Sequence, residues 1–79
     1  MSHYVIHSIL FERNKYWTKT KALNWLKKHG YSPIKVDITE NHFRFRLVDP
    51  ELLYSLKAKF RTKMIDPIKK IEFVFAYFE

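Results

Sequence analysis

The chain predicts a small α+β domain with the element order β-α-β-β-α-β-β, and three observations carry that prediction. Two period-two runs, Ile34 to Ile38 and Phe43 to Leu47, flank the polar Thr39, Glu40 and Asn41 and read as a hairpin. Between them and the start, apolar residues recur at helical spacing and stop at Gly30, the one glycine of the chain. The opening stretch 3–11 and the closing stretch 71–78 are dominated by β-branched and aromatic residues, which favour strands. The first six elements match the split βαβ, ferredoxin-like arrangement, with the seventh extending the sheet as a hairpin. The competing topology is a related antiparallel meander. Either way the expectation is an antiparallel sheet with helices on one face.

Each element has a local reason. Residues 3–11 carry apolar side chains on both faces, as a central strand does. The polar cluster Glu12 to Lys15 ends it. Thr18 is suited to cap the first helix, its hydroxyl taking one of the orphan amides of the first turn. Trp17 and Ala22 then occupy the staple positions that fix the entry of the chain. Ala22, Leu23, Trp25 and Leu26 fall on one side of this helix, with Thr20, Asn24, Lys27 and Lys28 on the other. Gly30 supplies the left-handed residue of the stop, letting Tyr31 fold back on Leu26. Asp49, Pro50 and Glu51 start a second helix: a capping acid, a proline at the first helical position and an acid in the first turn. Leu52, Leu53 and Leu56 are its expected core contacts. Residues 60–65 read as a strand, Asp66 and Pro67 as a turn, and 71–78 as the last strand.

With 79 residues, the chain makes one domain, 1–79, near the lower size limit for a self-supporting core. No cysteine is present, so neither a disulfide nor a thiolate metal site can staple it. Seven Phe, five Tyr and two Trp supply the core instead, each large aromatic burying roughly 150–250 Å². Tyr16, Trp17, Tyr54 and Phe78 are candidates for aromatic surface left over for a partner. No run approaches the ~18 apolar residues of a membrane span, and the N-terminus lacks the basic start and apolar stretch of a signal peptide. The expectation is an intracellular protein.

Catalytic signatures are missing. One glycine cannot build a phosphate-cradling loop. Ser2, Ser8, Ser32 and Ser55 sit in no nucleophile-elbow context. His3 and His7, four residues apart on one strand, stand roughly 13 Å from each other and cannot share a metal ion. Asp49 and Glu51 are explained by capping, and Asp37 and Glu40 by their turn. The expected protein is not an enzyme and needs neither cofactor nor metal.

What folding leaves unexplained is charge. Fifteen Lys and Arg against eight Asp and Glu give a net charge of +7, which suits nucleic acid or an acidic protein surface. Lys35, Arg44 and Arg46 alternate so as to share one sheet face. Arg61 and Lys63, also alternating, are candidates to join them, with Lys27 and Lys28 extending the surface from the helix. Such a set would neutralise phosphates with salt-dependent affinity and no sequence preference. The ordinary alternative is a solvated face paired with Asp37 and Glu72. Phe43 and Phe45 raise the idea of a base-stacking sheet like that of RNA-recognition modules, but the glycines of that motif are absent. The core is the better use for both rings.

The series Trp25-Leu26, Gly30-Tyr31, Lys35-Val36-Asp37, Asn41, Phe43-Arg44-Phe45-Arg46, Phe60-Arg61-Thr62-Lys63 and Ile71 to Tyr77 resembles a family of small proteins and domains of bacteriophages and large DNA viruses. The resemblance covers nearly the whole chain and implies no catalytic residues. It implies a viral accessory role in genome handling or in the particle, inside the host cell or in the virion. Two functions follow as expectations: a nucleic-acid-binding accessory protein, or a protein–protein module or virion component docked through an added strand or self-association.

Overall fold

The computed structural model describes residues 3–78. Five strands, β1 (His3–Glu12), β2 (Lys35–Ile38), β3 (His42–Arg46), β4 (Lys59–Asp66) and β5 (Ile71–Phe78), form one antiparallel sheet in the order β2-β3-β1-β5-β4. Helices α1 (Lys19–Lys28) and α2 (Pro50–Ser55) fill the two longer connections. The α+β class and all seven elements agree with the pattern in the sequence. The second half of the topology differs. The sixth element, β4, does not return beside β1; the seventh, β5, takes that place and β4 is turned out to the edge. The split βαβ order therefore ends after β3. The physical reason is β5 itself, whose residues are the more apolar and are buried at Ile71, Phe73, Val74 and Ala76. The polar β4 takes the wetter edge.

Register assigns the two faces. Ile9 lies opposite Phe45 and Phe73, and Phe11 opposite Phe43 and Ile71, so these rings share a face. α1 covers it. Phe11 is fully buried and meets Trp17, Trp25 and Phe45 edge-on, at centroid distances of 4.6, 5.5 and 5.6 Å. Trp25 and Tyr31 both rest edge-on against Phe73. Phe43 and Phe45 therefore serve the core and are not presented for base stacking.

The α1 termini form as their residues dictate. Thr18 Oγ1 accepts from the Lys21 amide at 3.2 Å. At the other end Gly30 has φ +82°, Tyr31 N–H donates to Leu26 O at 2.9 Å and Gly30 N–H to Lys27 O at 3.2 Å. This is a Schellman ending. Asp49 Oδ1 accepts from the Glu51 amide at the start of α2, as expected. That helix also ends in a Schellman pattern, with Ala58 N–H donating to Leu53 O and Lys57 N–H to Tyr54 O. Here the left-handed residue is Lys57, at φ 56°.

Two packing expectations are corrected. Of the α2 leucines only Leu53 is buried, while Leu52 and Leu56 face solvent, because six residues present a single inward position. The helices also do not share a face. Tyr54 of α2 packs edge-on against Phe60, which the register with Ala76 places on the side away from α1. His7, at a β-bulge of β1, meets the same ring at 5.3 Å.

Candidate nucleic-acid interface

Charge is divided between the two faces of the sheet by register. On the side away from α1, Lys35 pairs across with Arg46, and Asp37 with Arg44. Lys35, Arg44 and Arg46 thus share a face, as the alternation in β2 and β3 predicts. Three strand acids share it too: Glu12 opposite His42, Asp37 opposite Arg44, and Glu72 opposite Leu10. A fourth, Asp66, pairs with Ile71 at the end of β4 on the α1 side, where its carboxylate accepts from the turn amides. Arg46 Nε lies 2.9 Å from Asp37 Oδ2, an ion pair by distance although the N–H is not aimed along a hydrogen-bond line. Lys35 Nζ stands 3.9 Å from the same carboxylate, and His42 3.6 Å from Glu72. Much of the trio's charge is therefore answered locally. Arg44 is the exception, its Nε enclosed without an acceptor among the described residues.

Arg61 and Lys63 do not join that trio. Arg61 lies opposite Phe75 and Lys63 opposite Phe73, so both project to the α1 side, together with Lys59 opposite Tyr77. The sequence pattern showed that β4 alternates but not which way its phase would be set. α1 adds Lys19, Lys21, Lys27 and Lys28 and carries no acid. Seven cations thus occupy α1 and the α1 side of β4. No carboxylate lies within 4.0 Å of any of them among the described residues. Lys27 and Lys28 also meet the negative end of their helix. That accounts for two of the seven.

A recess of about 470 Å³ opens on this side beside α1. Its aromatic walls are Tyr16, Trp17, Trp25 and His29, and Lys21, Lys28 and Lys69 stand around it with the Asn24 amide. His29 stacks on Trp25 at 3.9 Å and 20°, held by a 2.8 Å hydrogen bond between Nδ1 and the Trp25 carbonyl. Lys21 Nζ stands 4.7 Å from the ring centre of Tyr16, whose residue remains 56% exposed. Trp17 is sunk into the core and its indole N–H donates to the Lys69 carbonyl, tying the β4–β5 turn to the start of α1. Asp66 Oδ1 holds that turn by accepting from the Ile68 and Lys69 amides. Of the four aromatics expected to exceed the core, Tyr16 and Tyr54 are exposed, Phe78 is half-buried and Trp17 is buried.

The recess was not legible beforehand. Tyr16, His29 and Lys69 lie far apart in sequence, and the Trp17–Lys69 hydrogen bond helps bring the turn to the start of α1. Among the described residues, no helix is long and apolar enough to cross a membrane. Compared with models of known families, with curated proteins and with solved structures, the chain gives no match.

Proposed function

We propose that this chain is a non-enzymatic accessory protein that binds nucleic acid through phosphate contacts on its α1 side. One observation carries the reading: seven lysine and arginine side chains on α1 and the α1 side of β4 have no carboxylate within 4.0 Å among the described residues. Cations kept apart from acids cost self-repulsion, so an arrangement of this kind favours a polyanion. Lys27, Lys28, Arg61 and Lys63 belong to this surface. Lys35, Arg44 and Arg46 form a second, partly neutralised patch behind the sheet. The resemblance to viral small proteins fits an accessory role in genome handling. Titrating labelled duplex and single-stranded oligonucleotides at ~50 and ~200 mM salt tests it, since phosphate contacts lose affinity steeply over that range. Absence of binding at the lower salt refutes it.

A second reading has its own observation. β4 is an edge strand whose residues from Lys59 to Ile65 are all exposed, Phe60, Met64 and Ile65 among them. Such an edge can accept a strand from a protein partner or a second copy. The Lys59, Arg61 and Lys63 row opposes pairing with a copy of itself and favours an acidic strand. A solution mass equal to one chain, with no partner retained on an affinity column, would count against it.

A further inference from the structure

We infer that the recess beside α1 seats an unpaired nucleotide base, so that the bound polymer is single-stranded. The inference rests on the nucleic-acid reading above and specifies its ligand. About 470 Å³ lies in the range of pockets that hold a small ligand. Its chemistry has two parts that match the two parts of a nucleotide. Tyr16 and the Trp25–His29 stack line it with aromatic rings, and His29, stacked on Trp25, is itself exposed. Lys21, Lys28 and Lys69 supply positive charge at the rim, with no acid among the residues that line it. A duplex offers phosphates but keeps its base faces stacked inside, so it reaches only the rim. A single strand offers both. An acidic peptide satisfies the lysines but leaves the rings unused. The neighbouring recess, lined by Arg13, Lys15, Lys19, Trp17 and Phe43, differs in carrying an acid, Glu40, among its walls.

Both tryptophans of the chain line the recess, so their emission reports directly on it. The experiment titrates the full chain at ~50 mM salt with oligo-dT, with an abasic oligomer of the same length, with a duplex and with polyglutamate. Oligo-dT is expected to quench tryptophan emission and to bind about tenfold more tightly than the abasic strand, the effect of one stacked base. Tyr16→Ala and His29→Ala should each remove most of that difference while leaving the salt slope unchanged. Equal affinity for dT and abasic strands overturns the base seat and leaves the phosphate reading intact. Equal quenching by polyglutamate overturns it as well. Failure of every nucleic acid to bind at this salt removes both readings together.

Discussion

Charge segregation makes a prediction that separates the two faces while holding net charge equal. Lys21→Gln with Lys28→Gln removes two cations from the α1 side, and Lys35→Gln with Arg44→Gln removes two from the other. All four side chains are outside the buried core, and none belongs to the 2.9 Å pair of Arg46 with Asp37. Changes at the exposed Lys21, Lys28 and Lys35 shift stability by only about ±0.5 kcal/mol, and a urea midpoint for the Arg44 variant, whose Nε is enclosed, checks that folding is not the variable there. Each lost phosphate contact on a single strand removes about 0.7 from the slope of log affinity against log salt. If both α1 lysines contact phosphate, the slope flattens by about 1.4, and raising salt from ~50 to ~200 mM costs about sevenfold less affinity than in the wild type. The Lys35/Arg44 double variant should retain nearly the wild-type slope, because Asp37, Glu12 and Glu72 share that face. Fluorescence anisotropy of an end-labelled oligonucleotide over four salt concentrations reads both slopes. A Lys35/Arg44 variant that flattens as much as the α1 variant refutes the argument from segregation, since charge alone would then account for binding.

Three predictions concern the scaffold. Phe11→Ala removes the ring at the centre of three edge-on contacts and should lower unfolding stability in urea by about 3–5 kcal/mol. A loss below ~1 kcal/mol would mean that the α1 face collapses around the gap. The two helix ends form a matched test of backbone strain. Gly30→Ala should cost about 1–2 kcal/mol from its φ of +82° alone, as no atom lies within 4 Å of an added Cβ. Lys57→Gly, at φ 56°, should stabilise by up to about 1 kcal/mol, and equal signs for the two variants would rule out strain as the cause. His7 is held below its ordinary 6.5 by burial first and by the Arg44 and Arg46 charges next. Below 6.5 the unfolded chain takes up a proton that the folded chain resists. Stability is therefore full above that pH and declines as pH falls from it. Urea midpoints at about pH 7.5 and 5.5 should differ less in His7→Phe than in wild type; an unchanged difference shows that other groups set the slope.

What the residues determine alone is local. The caps at Thr18 and Asp49, the stop at Gly30, the hairpin around Thr39 to Asn41 and the five strands all follow from short-range geometry: an oxygen facing orphan amides, a residue free to adopt positive φ, a period of two. The α2 ending escaped that logic because Lys57, not a glycine, takes the positive φ there. The one sequence signal that β5 would pass inside β4 is composition, β5 being apolar at every position but Glu72 while β4 carries Lys59, Arg61, Lys63 and Asp66. Burial decided it, as Phe73, Val74 and Ala76 need cover that Lys59 to Lys63 do not. That choice set the phase of β4, turned Arg61 and Lys63 away from Arg44 and Arg46, and put them on the α1 side. The total of +7 is therefore a property of the sequence. Its separation into one face where acids pair with the cations and another where seven cations have no carboxylate within 4.0 Å among the described residues comes from tertiary structure, because strand order and register determine which charges become neighbours.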